Sequence, residues 1–291
     1  MAVGNLLLSL LTFSGLVQSS PLSPRQNNAW EKLPPTPKLP SPISTTKLDI
    51  NNVKLWYQEY NKPAGGDPIV FIHGGLGYSA YFGDIIASVM KNHYVIAVDR
   101  RGHGRSTYNA DDVFTFEMFA QDTYDLLKAI GVTKAMWVGW SDGAATTLAG
   151  LLDPTITASI TKAFVFAGFQ SVADSNATYV DTAIYPEFIS RCKSEYAELQ
   201  PAGNFSEFGG KVATLEGTLP TWTDEDLARI DGAKVTISGA DHDEAVNLAV
   251  PEHLNKVIWG SKLVMMTGVS HFAPMQDPVQ FSRRIEEFIA G

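Results

Sequence analysis

Gly139-Trp140-Ser141-Asp142-Gly143 follows the apolar run 135–138 and precedes the helix-prone stretch 144–149. This is Gly-x-Ser-x-Gly in the strand, turn, helix setting that a serine nucleophile uses. The serine must project its hydroxyl from a sharp turn, so its flanks stay free of side chains. The helix that follows aims unpaired backbone N–H groups and its positive dipole end at the same point. A serine hydroxyl attacks only when a base removes its proton. Of the six histidines, His271 stands where that base is needed, after a late strand at 262–266 and the turn 267–270, and before the last helix. His73 and His103 sit in glycine-rich loops, which they are expected to order through hydrogen bonds. His93 and His253 have no motif around them.

A carboxylate should orient the imidazole from the end of a strand between serine and histidine. After 235–239 the chain offers Asp241, Asp243 and Glu244. Those not used are expected to be solvated loop carboxylates. The transition state also needs two N–H donors for its oxyanion. One is the amide of Asp142, directly after the serine. The other falls in His73-Gly74-Gly75-Leu76-Gly77 and is assigned to Gly75, with Leu76 as its neighbouring alternative. Those glycines do not make a phosphate cradle, since neither Gly-Lys-Ser/Thr nor G-x-G-x-x-G follows.

The elements that must position these residues alternate along the chain. Strand-like runs fall at 53–57, 69–72, 94–98, 135–138, 163–166, 235–237 and 263–266. Between them lie amphipathic stretches such as 116–130 and 279–289. That rhythm predicts an α/β fold, a mostly parallel sheet flanked by helices, with active groups at the carboxyl ends of the strands. It lapses between about 169 and 226, where aromatic residues are scattered.

Composition bounds the rest. The chain has 291 residues and a formal net charge of −9, which argues against a nucleic-acid binder. The one cysteine, Cys192, excludes an internal disulfide framework and any thiolate-rich metal centre. The apolar run 6–17 is too short to span a bilayer. With the small residues after it, the run predicts a signal peptide over 1–19 and a secreted, extracellular protein. Asn176-Ala177-Thr178 and Asn204-Phe205-Ser206 are acceptor sequons for glycosylation. Seven prolines between Pro21 and Pro42 predict a largely disordered leader over 20–45. Residues 46–291 then form one domain. The terminal Phe288-Ile289-Ala290-Gly291 lacks the apolar tail of a lipid-anchor signal, so no membrane anchor is expected.

Taken together, these motifs resemble the α/β-hydrolase superfamily. The resemblance rests on the 73–77 and 139–143 motifs, Asp99-Arg100-Arg101-Gly102-His103-Gly104-Arg105-Ser106, Asp241-His242-Asp243-Glu244 and Ser270-His271-Phe272. It runs from about Lys47 to the end. In such proteins the acid stands directly before Pro or Glu, which implies Asp243, although Ala240 takes the place of the usual glycine. The resemblance implies that Asp99, His103 and Arg105 are structural. It also makes about 169–226 a small helical cap over the pocket, where Tyr179, Tyr185, Phe188, Tyr196, Phe205, Phe208 and Trp222 either face substrate or pack as core.

The implied activity is hydrolysis of an ester or lactone of a small organic molecule, with Ser141, His271 and Asp243 as triad and no metal or organic cofactor. The same triad would serve C–C bond hydrolysis or perhydrolysis. A non-catalytic binding protein on the same fold is the alternative from another class. An aminopeptidase is disfavoured, because no acidic cluster for a free amine can be placed in the cap. The expected partner is a small-molecule substrate, and no feature sets an oligomeric state.

Overall fold

The computed structural model describes residues 28–291. The expected signal segment and the first part of the leader lie outside the described residues. Eight strands form one sheet: β1 (Lys47–Ile50), β2 (Val53–Tyr60), β3 (Ile69–Ile72), β4 (Val95–Val98), β5 (Ala135–Trp140), β6 (Ile160–Phe166), β7 (Val235–Ala240) and β8 (Lys262–Met266). Their spatial order is β1-β2-β4-β3-β5-β6-β7-β8. β2 pairs antiparallel with β1 and β4, and the remaining neighbours are parallel. β3 and β4 are buried at every position, as their unbroken apolar runs require of strands covered on both faces. β1 was not foreseen. It is an edge strand in which only Ile50 is buried, so it carries no apolar run.

The helices are α1 (Gly83–Val89), α2 (Phe116–Ala129), α3 (Asp142–Leu152), α4 (Ile184–Leu199), α5 (Phe205–Thr218), α6 (Asp224–Leu227), α7 (Val250–Val257), α8 (Ala273–Gln276) and α9 (Pro278–Ala290). α2 starts where Thr115 accepts a hydrogen bond from the Met118 amide at 3.0 Å, a side-chain N-cap. α1 packs on α9 and α2 on α3. Under α9, the ring of Phe281 meets Phe82, Phe164 and Phe166 at 5.2–6.0 Å between centroids. Helices α4 to α6 occupy the span between β6 and β7 that the sequence reading assigned to a cap.

The strand order sets the place of the site. From β3 the chain moves to one side to form β4, then returns across β3 to form β5 on the other. This is a topological switch point, where the loops leaving adjacent strands diverge and open a crevice. Ile72, the last residue of β3, is in register with Gly139. The loop starting at His73 therefore emerges beside Trp140 and Ser141.

Residues 28–45, expected to belong to a disordered leader, instead lie extended against the domain. Leu33 and Leu39 are buried in the core. Arg191 on α4 donates to the carbonyls of Leu33 and Pro34, and Gln276 donates to the carbonyl of Lys32. Tyr60 and Trp56 donate to the carbonyls of Pro40 and Ser44. Proline removes amide donors but leaves every carbonyl free to accept, so a proline-rich strap can be held by side chains from the body it crosses.

Candidate active site

Ser141 joins β5 to α3 with φ 57° and ψ −121°, a left-handed conformation rare for a residue with a side chain. Its amide donates to the Phe166 carbonyl on β6 at 3.0 Å, and its carbonyl accepts from the amides of Ala144 and Ala145. The turn is locked from both sides. A Cβ at Gly143 would collide with the Ile72 carbonyl, and one at Gly139 with the Gly143 carbonyl. The two glycines are thus demanded by close backbone approach, which the motif alone could not distinguish from a plain turn.

His271 lies in the loop after β8, and its Nδ1 is 3.1 Å from both carboxylate oxygens of Asp243. An ionised carboxylate only accepts, so Nδ1 carries the hydrogen and Nε2 is left with its lone pair. Asp243 is itself fixed by the amides of Ala245 and Val246 at 2.9 and 2.8 Å. Burial opposes a charged imidazolium at His271. The carboxylates of Asp243, Glu244 and Asp142 outweigh it and hold the pKa above the ordinary 6.5.

Of the neighbouring acids expected to be solvated, Asp241 is exposed and Glu244 only partly so, and both also accept backbone hydrogen bonds. Asp241 accepts from the Gly268 amide at 2.9 and 3.0 Å. Glu244 accepts from the His271 amide at 3.0 Å and from the Ser270 hydroxyl at 3.1 Å. All three acids of the loop after β7 therefore grip the loop that carries the histidine. Gln276 adds to the brace by accepting from the Ser270 amide at 2.7 Å. Sequence order alone gave no signal for these bracing roles.

The loop after β3 is anchored from behind. The Arg100 amide donates to His73 Nε2 at 3.1 Å, which leaves His73 Nδ1 to donate to the Gly74 carbonyl at 2.8 Å. Arg100, fully buried, donates from Nη2 to the same carbonyl at 2.9 Å. Burial, then the Arg100 charge, push the His73 pKa well below 6.5, so the ring is neutral and structural. His103 is held likewise by the Arg101 carbonyl at 2.9 Å. Asp99 ties Ser79 to Arg105. The amides of Gly75 and Asp142 take no hydrogen-bond partner among the described residues.

Gly75, Ser141, Asp142 and His271 share the wall of one cavity of about 720 Å³, within the range of small-molecule sites. The Ser141 hydroxyl makes no hydrogen bond of its own among the described residues. From the cap, Tyr179, Tyr185, Phe188 and Phe205 face the lumen. Tyr196 and Phe208 are core, stacked at 4.9 Å, and Trp222 packs on Phe116. The sequons fall in different settings. Asn176 lies on the cavity wall, and exposed Asn204 caps α5 by accepting from the amides of Ser206 and Glu207.

The cap also supplies one acid, which the sequence reading did not single out. Phe205, Gly209, Val212, Ala213 and Glu216 line the cavity from α5, and the spacing of four, seven, eight and eleven residues is one helical face. A single carboxylate on an otherwise apolar or small-residue stripe was the signal that could have found it. Its enclosed position and the neighbouring Asp142 charge raise the Glu216 pKa, and Arg100 opposes the rise.

Residues 69–284 match the family model described as "Alpha/beta hydrolase family". A non-heme chloroperoxidase, CPO-A1, of Kitasatospora aureofaciens is 27% identical over 281 residues, covering 85% of this chain and 99% of the relative. Among solved structures, the meta-cleavage product hydrolase CumD of Pseudomonas fluorescens IP01 superposes with a TM-score of 0.71 at 17% identity, over 85% of this chain and 98% of that one. The enol-lactonase of Burkholderia xenovorans LB400 gives 0.67 at 17% identity, over 84% and 100%.

Proposed function

The chain belongs to the alpha/beta hydrolase family, and from that premise we propose that it is a serine hydrolase cleaving an ester or lactone of a small organic molecule through an acyl-enzyme on Ser141. The observation that carries the reading is one cavity that joins a serine in the strained elbow to a histidine held by a buried carboxylate. His271 Nε2 takes the hydroxyl proton as Ser141 Oγ attacks the carbonyl carbon. The amides of Gly75 and Asp142 receive the oxyanion. His271 returns the proton to the leaving oxygen as the carbon–oxygen bond breaks. Water, deprotonated by the same nitrogen, then releases the acid. Asp243 keeps the proton of the resting imidazole on Nδ1 throughout.

Perhydrolysis, with peroxide in place of water, is the second reading, supported by the match over 99% of a relative named as a chloroperoxidase. An assay of ester loss with and without peroxide separates the two. Export of the protein is supported by the apolar run 6–17 and by the exposure of Asn204. Intact mass of secreted protein before and after glycosidase treatment tests it. The hydrolase reading itself is tested by kcat/KM for a series of esters and lactones on the native protein, Ser141→Ala and His271→Ala. Activity above background in native protein alone is the expected result.

A further inference from the structure

The corner of the cavity next to the nucleophile brings two carboxyl oxygens together from separate elements. Glu216 Oε1, from the cap, and Asp142 Oδ2, from the elbow, both lie within 3.0 Å of the point a Cβ on Gly75 would occupy. The Asp142 side chain is 2% exposed, and its Oδ2 accepts no hydrogen bond among the described residues. Arg100 forms a buried ion pair with Asp142, but the Nη2 to Oδ2 distance is a long 3.5 Å and that nitrogen donates to the Gly74 carbonyl. Lys193, the other cation to consider, stands exposed on α4 at the cavity wall. Glu216 is exposed to the lumen, with its carboxyl beside the Gly75 backbone. A buried carboxylate oxygen without a donor is costly, and a second carboxyl beside it raises the cost unless a proton or a cation stands between them.

Resting on the serine-hydrolase reading, we infer that Asp142 and Glu216 form a subsite for a protonated amine of the substrate. The place of that amine in the substrate follows from the place of the corner. Asp142 is the residue after Ser141, and Gly75 offers the second oxyanion amide, so a group held here is only a few bonds from the carbonyl under attack. The substrate class is therefore an ester with an ammonium group close to its carbonyl, as in an amino-acid ester. The ammonium donates to Asp142 Oδ2 and Glu216 Oε1. A carboxylate in the same position would meet two carboxyl groups and no donor from either unless one were protonated. Glu216 is a specificity residue on the cap, and Asp142 serves twice, with its amide at the oxyanion and its side chain at the amine.

The test compares the benzyl esters of alanine and isobutyric acid, which differ in an ammonium for a methyl group, on the full chain. Native protein should favour the alanine ester in kcat/KM by about ten- to a hundredfold, the worth of a hydrogen bond to a charged group. Glu216→Gln should bring that ratio toward one. A native ratio at or below one, or a ratio that survives Glu216→Gln, overturns the inference. Should Glu216→Gln fail to fold, protection of native Ser141 from a fluorophosphonate decides: alaninamide should slow labelling more than isobutyramide, and equal protection overturns the inference. Failure of the hydrolase reading would look different, as no fluorophosphonate labelling of native protein at all.

Discussion

His271 Nδ1 is equidistant, at 3.1 Å, from both oxygens of Asp243, although 28 residues separate them in the chain. The contact is buried on both sides, so the imidazole is held in one tautomer and one orientation. Asp243→Asn keeps the shape but can donate a hydrogen to Nδ1, which moves the imidazole proton to Nε2 and blocks the base. We expect kcat to fall by about 10³ to 10⁴, the order seen when a triad aspartate is amidated. Steady-state kinetics beside a thermal melt check that the loss is not one of folding.

Asp241 and Glu244 hydrogen-bond to the backbone around the histidine, and Glu244 adds its charge near the ring. Asp241→Asn and Glu244→Gln should each lower kcat/KM by less than Asp243→Asn, within about a hundredfold, as for groups that support a reacting residue. A loss in either that equals the Asp243→Asn loss would move the triad acid away from Asp243.

Catalysis needs His271 neutral, and its surrounding carboxylates hold the proton on. kcat/KM should therefore fall as pH drops through a value above 6.5. For stability the sign is opposite. The protonated form is favoured by folding below 6.5, and that contribution disappears as pH rises through the folded pKa. A pH profile of kcat/KM with its acid limb above 6.5, moved downward in Glu244→Gln, is the expected record.

Much of this site was legible because its motifs are imposed by backbone contact. Gly143 stands against the Ile72 carbonyl, so residue type and spacing at 139–143 reported a real collision. The strands were legible for a similar reason, since β3 and β4 are apolar at every position. What escaped notice depends on contacts between distant segments. Glu216 is one acid on a cap helix, and only the folding of α5 over the cavity puts it beside Asp142. The strap at 28–45 escaped because proline content reports missing donors, whereas the holding donors belong to Arg191, Tyr60, Trp56 and Gln276.

Gly143→Ala forces a methyl into that carbonyl. A loss of about 1–3 kcal/mol of folding stability is expected, at the upper end because backbone cannot yield as a side chain can. Urea denaturation followed by fluorescence measures it. An unchanged midpoint would mean that the elbow is looser than described.

The strap contributes packing. Leu39→Ala should cost about 2–4 kcal/mol, the usual loss for a leucine truncated in a core, read as a lower urea midpoint. A disordered segment would show no change.

The most direct measurement is intact mass after incubation with a small fluorophosphonate, on native protein and on folded Ser141→Ala and His271→Ala. One adduct per native chain, absent from Ser141→Ala and strongly slowed in His271→Ala, is the predicted result. Folded native protein that takes up no adduct would contradict an activated Ser141.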